Sequence, residues 1–164
     1  MIALPADFMF TFHPGGLLSE AIAFKTHAKI SHVQMVMDVG VNGTIQVISA
    51  EAQGLIEKWV IPETVPWYCI LSYEGITFKK RDEIAKWMWD MRGTPYDVWG
   101  LASFLVNIDL NDERKSFCSE VNFQAYEAKD ILLFDGVDHA FVSPRDLYIL
   151  PTLKILDGNR KEIR

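Results

Sequence analysis

Asn42-Gly43 stands between two runs of alternating apolar residues, and it constrains the fold more than any other dipeptide in the chain. Asn-Gly is favoured in a two-residue type I′ hairpin turn because both central residues must accept positive φ. Ahead of it, residues 33–39 alternate, with Val33, Met35, Met37 and Val39 on one face and Gln34, Val36 and Asp38 on the other. A second strand over residues 44–50 follows at once. The turn predicts an antiparallel pair in which Val41 faces Thr44, so that His32 faces Gln53 and Gln34 faces Glu51. Glu51 then lies diagonally beside His32 on one sheet face, roughly 7–8 Å away at the backbone, within reach of a long carboxylate side chain. A slip of one residue would turn Glu51 to the other face.

The remaining pattern supplies more strands and separate helices. Residues 8–12 read as a short strand closed by His13-Pro14-Gly15-Gly16, residues 17–24 as helical, and residues 67–73 as an apolar strand that includes Cys69. Residues 80–91 place Ile84, Trp87, Met88 and Met91 at helical spacing. Thr94-Pro95-Tyr96-Asp97 and Ser143-Pro144-Arg145-Asp146 share one grammar: a hydroxyl cap, proline at the first helical position, and aspartate three residues after the cap. Strands and helices are segregated and do not alternate as βαβ units, so an α+β fold with an antiparallel sheet is expected. The 164 residues, 49% of them hydrophobic, suffice for one substantial core, and residues 1–164 are read as one domain with a basic tail over 154–164. A net charge of -6 with scattered Lys and Arg argues against nucleic-acid binding. No apolar run approaches the roughly 20 residues that cross a bilayer, and the amino terminus lacks the pattern of a signal peptide, so a cytoplasmic location is expected.

Two cysteines are too few for a disulfide scaffold and lack zinc-ligand spacing, and they differ in setting. Cys69 reads as core. Cys118 follows Ser116-Phe117, with Ser116 as a plausible helix cap and Val121, Ala125 and Ala128 as an apolar stripe behind it. A thiol in the first turn of a helix meets unpaired N–H groups and the positive end of the helix dipole, which lower its pKa and can also hold an oxyanion. His32 could then act as general base and later as proton donor, with Glu51 fixing its tautomer, which predicts a reactive thiol and a rate that rises and then falls with pH. Bland readings stand beside this one. Free cysteines are commonly buried, a sheet histidine is commonly structural, and Glu51 could be a solvated strand-end carboxylate. A zinc site from His27, His32 and Cys118 matches no common ligand spacing.

Five segments in order carry a resemblance: Ser31-His32-Val33-Gln34-Met35-Val36, Val47-Ile48-Ser49-Ala50-Glu51-Ala52, Gly93-Thr94-Pro95-Tyr96-Asp97, Phe117-Cys118-Ser119-Glu120-Val121 followed by Ala125-Tyr126, and Val142-Ser143-Pro144-Arg145-Asp146-Leu147. Together they resemble the circularly permuted papain-like hydrolases related to the NlpC cell-wall peptidases, the YiiX/YebB-like group, which also includes relatives of lecithin:retinol acyltransferase. In that family the histidine and a polar residue on the next strand precede the cysteine. The resemblance implies a permuted papain-like fold, with a central antiparallel sheet or partial barrel packed against helices and the nucleophile at a helix N-terminus. It implies Cys118 as nucleophile, His32 as base and Glu51 as the orienting residue, with Ser119, Gln34 and Tyr96 as oxyanion or substrate candidates. The chain departs from many relatives in Gln34 and the bulky Met35 after the histidine, and in Glu51 where others use a second histidine. Capping gives Tyr96 and Asp97 a structural reading, which is the one favoured here.

The expected activity is therefore hydrolysis of an amide, in a peptide or peptidoglycan fragment, through a thioester on Cys118, without metal or other cofactor. The alternatives are a lipid or acyl thioesterase or acyltransferase, suggested by Trp87, Trp89 and Trp99, and a binding module that keeps the fold without turnover.

Overall fold

The computed structural model describes residues 3–51, 53–94, 117–137 and 142–159. Six strands form one antiparallel sheet: β1 (Phe8–Phe12), β2 (His32–Val39), β3 (Ile45–Glu51), β4 (Gly54–Val60), β5 (Trp67–Tyr73) and β6 (Leu153–Gly158). Their order across the sheet is β4-β3-β2-β1-β5-β6. The helices are α1 (Leu17–Thr26), α2 (Phe78–Asp90), α3 (Phe117–Glu127) and α4 (Pro144–Tyr148). One sheet face, carrying Phe8, Phe10, Val33, Met35, Ile48, Cys69 and Leu71, shares a core with Ile84 and Met88 of α2 and with Cys118, Val121 and Ala125 of α3. The opposite face packs Met9, Val36, Val47, Tyr68 and Ile70 around Ala3 and Val65. The α+β reading and the core position of Cys69 both hold.

The hairpin differs from the sequence expectation in an instructive way. Of its loop residues Val41, Asn42 and Gly43, only Gly43 takes positive φ, at 80°. Gly40 N–H donates to the Thr44 carbonyl and Gly43 N–H to that of Gly40, which makes a three-residue loop in place of the type I′ turn. Asn42 serves as an acceptor here, its side-chain oxygen taking the Thr44 hydroxyl at 2.7 Å. A bulge between Val36 and Asp38 shifts the register once more, so Met35 faces Ile48 where a type I′ turn would have set it against Ala50. The bulge also turns Val39 outward, 38% exposed. Two single-residue shifts together restore the side-chain face, so Ser49 and Glu51 stay on the side of His32.

Two strands were not anticipated. β4 pairs along the whole of β3, from Ile45 opposite Val60 to Glu51 opposite Gly54. Residues 153–158 form β6 against β5, although 154–158 read as the start of a basic tail, and Lys154 pairs with Glu74. Gly158 faces Cys69 so closely that an added Cβ would lie 2.8 Å from the Tyr68 carbonyl oxygen. Gly158→Ala is expected to lower stability by about 1–3 kcal/mol through overpacking against backbone, as read by urea unfolding.

Three further contacts fix the helices. Arg81 of α2 is buried against Asp7, Nη1 to Oδ1 at 2.6 Å, while its other contacts are the Pro5 carbonyl and the Ser72 hydroxyl. The Tyr126 hydroxyl of α3 donates to the Ala6 carbonyl at 2.5 Å. Ser143 and Asp146 form a reciprocal capping box on α4, as their spacing predicts.

Candidate active site

Cys118 lies in the first turn of α3, 8% exposed, within the core shared with Val33 and Met35. The backbone N–H groups of Val33, Ser119 and Cys118 lie close enough to the sulfur to favour its charged form. The thiol therefore rests against the peptide unit that joins His32 to Val33. Asn122, one turn further on, binds the two elements together: its Nδ2 donates to the Cys118 carbonyl at 2.6 Å and to the Val33 carbonyl at 3.4 Å. The Ser119 hydroxyl donates to the Val142 carbonyl at 2.5 Å, which ties the same turn to the segment before α4.

His32 is the first residue of β2 and faces Thr11 of β1. Strand parity sends its side chain away from the Val33 face, toward Ser49. The preceding residue is anchored, since the Ser31 hydroxyl is 2.6 Å from that of Ser19 on α1. His32 Nε2 lies 2.7 Å from Ser49 Oγ, Ser49 Oγ donates to Glu51 Oε1 at 2.7 Å, and Lys58 Nζ donates to the same carboxylate oxygen at 2.5 Å. The hairpin register expected from Asn42-Gly43 puts Glu51 directly on the imidazole. The structure interposes Ser49, whose signal was its place two residues earlier on the same face, and adds Lys58 from the unanticipated β4.

The electrostatics also differ from expectation. Burial pushes the Cys118 thiol up to about 11, more than the three N–H groups pull it down, and the Glu51 carboxylate adds to the rise. Burial lowers His32 to about 4 against the opposing pull of Glu51. Burial also works against the Glu51 charge, but hydrogen bonds from Lys58 and Ser49 outweigh it and hold the carboxyl below its ordinary range. Thiol and imidazole are thus both neutral at rest. The expectation of a thiol activated by its helix terminus is corrected, because desolvation at 8% exposure outweighs a few N–H dipoles.

The other candidates are dispersed. Gln34 is 2% exposed, with Nε2 donating to the Thr11 hydroxyl at 3.3 Å, on the sheet face opposite Val33. Ser119 is held by Val142, so its contribution at the sulfur is its backbone N–H. Tyr96 and Asp97, with the cap proposed for them, lie outside the described residues, as do Ser116 and Trp99. No helix of the described residues is long and apolar enough to cross a membrane.

No family model matches the chain, and no curated protein does. Among solved structures it is similar to the metalloprotein YiiX (DUF1105) from Escherichia coli O157:H7, with a TM-score of 0.63 and 19% identity over 92% of this chain and 94% of that one. The likeness is one of fold: this chain has a YiiX-like α+β fold.

Proposed function

We propose that the protein is a cysteine hydrolase that cleaves an amide through a thioester on Cys118. The observation that supports this reading is the Cys118 thiol in the first turn of α3, where the N–H groups of Val33, Ser119 and Cys118 favour its charged form, together with a His32 whose Nε2 is already engaged by Ser49. As the sulfur attacks the carbonyl carbon, its proton passes to His32 Nδ1 and the carbonyl oxygen takes the negative charge, held by N–H groups of the α3 terminus. The C–N bond then breaks as Nδ1–H protonates the leaving amine. Water, losing its proton to His32, attacks the thioester and restores the thiol. A peptide or peptidoglycan fragment remains the first substrate class, since two of the tryptophans that suggested acyl chains, Trp87 and Trp89, are engaged elsewhere. Trp87 packs against the core, and Arg92 lies over the Trp89 ring, 3.3 Å from its centre.

A metal-dependent reading, suggested by YiiX, lacks support in the donor set: among the described residues no three His, Cys, Asp or Glu side chains converge. A binding module without turnover is the competing reading, favoured by the burial of the thiol, 8% exposed. The pH profile separates the two. His32 must be neutral to accept the thiol proton, and its pKa of about 4 keeps it neutral through the range where an ordinary imidazole titrates, near 6.5. The acid limb of kcat/KM on a panel of dipeptide and acyl-amide substrates should therefore fall near pH 4, with a level rate through neutrality. A limb near pH 6.5 would contradict this electrostatic picture, and absence of turnover across the panel would favour the binding module.

A further inference from the structure

We propose that Lys58 and Ser49 are positioning residues that dictate which nitrogen of His32 carries the proton, through a one-way chain of hydrogen bonds running from the imidazole to Ser49 and from Ser49 to Glu51. This rests on the hydrolase reading for its purpose but not for its geometry. Glu51 Oε1 receives Lys58 Nζ at 2.5 Å and Ser49 Oγ at 2.7 Å. An ammonium only donates, so the atom it meets must be an acceptor. Ser49 has one hydroxyl proton and commits it to that oxygen, so toward His32 Nε2, 2.7 Å away, it can only accept. The imidazole must then be the Nε2–H tautomer, with its lone pair on Nδ1. Ser49 is fully buried, whereas the Lys58 and Glu51 side chains are 35% and 32% exposed. Direction is therefore imposed from the rim of the sheet and passed inward by a hydroxyl. The carboxylate held below its ordinary pKa agrees with this, since a protonated Glu51 could reverse the chain. Glu51, Lys58 and His13 are the charged or titratable groups whose fields act on His32.

The test is the long-range 1H–15N spectrum of His32 in the full chain without substrate, assigned by its loss in His32→Gln. Native protein should show the Nε2–H pattern alone. Glu51→Gln should keep it, because Lys58 still demands an acceptor oxygen at the same place. Glu51→Gln/Lys58→Met frees the amide to turn its NH2 toward Ser49, and an Nδ1–H signal should appear. Ser49→Thr should preserve the native pattern, while Ser49→Ala should speed exchange of the ring proton with solvent on the order of tenfold through loss of one hydrogen bond. If the buried alanine variant does not fold, the partly exposed 51/58 pair carries the test. An Nδ1–H signal in native protein, or in Glu51→Gln alone, would overturn the proposal, as would an unchanged pattern in the double variant. Because no substrate is needed, an Nε2–H imidazole beside a Cys118 that never acylates would sink the hydrolase reading and leave the relay standing. An Nδ1–H imidazole beside an acylating Cys118 would do the reverse.

Discussion

Arg81→Ala is expected to cost about 3–5 kcal/mol of folding stability, because it leaves the Asp7 carboxylate buried without its partner. Asp7 is fully buried, with Oδ2 taking the Leu4 N–H at 2.7 Å and Oδ1 the Arg81 guanidinium at 2.6 Å. The same guanidinium holds the Pro5 carbonyl and the Ser72 hydroxyl, so one deletion unsettles the start of β1, the end of β5 and the seat of α2. The size of the effect comes from the stranded charge more than from the lost attraction. Asp7→Leu/Arg81→Met should accordingly be more stable than Arg81→Ala, since the double replacement buries no charge. Urea unfolding of the variants checks this. A loss below about 1 kcal/mol in Arg81→Ala would mean that water reaches Asp7 and that the pair is a surface interaction.

Cys118→Ala and His32→Ala should each lower kcat by roughly 10⁴–10⁶, and the double variant should lose no more than the worse single one, because nucleophile and base act as a unit. Glu51→Gln should cost much less, since it touches the imidazole only through Ser49 and keeps an acceptor for both Ser49 and Lys58. With the thiol at about 11, resting Cys118 should react with iodoacetamide more slowly than a free thiol at neutral pH. This reverses the expectation drawn from a helix terminus alone. Additive losses in the double variant would mean that His32 acts on something other than the Cys118 thiol.

What could be read in the sequence was local pattern. β1 and β5 follow from their apolar runs and breakers, and the α4 cap from Ser143, Pro144 and Asp146. The juxtaposition of His32 and Glu51 was anticipated by a route that was wrong in detail. An Asn-Gly pair does not distinguish a two-residue loop from a three-residue loop whose glycine alone takes positive φ, and nothing near Met37 announces a bulge. Their shifts compensate only because side chains repeat every two residues. β4 was missed because it is an edge strand: beyond Leu55 and Ile56 its residues Glu57, Lys58 and Trp59 carry no consistent apolar face. With it went Lys58. Nor could pattern predict Asp7 against Arg81, two charged residues 74 positions apart whose pairing depends on the finished packing. The thiol's elevated pKa was hidden for the same reason: a helix terminus is visible in sequence, whereas the degree of burial around it is not.

The most direct measurement is mass spectrometry of the intact protein after incubation with a panel of activated acyl amides and thioesters, followed by peptide mapping. The account predicts one covalent acyl adduct on Cys118, absent in Cys118→Ala and strongly reduced in His32→Ala, with Cys69 unmodified in the core. No adduct on native protein at any pH between 5 and 9, or an adduct that persists in Cys118→Ala, would contradict it.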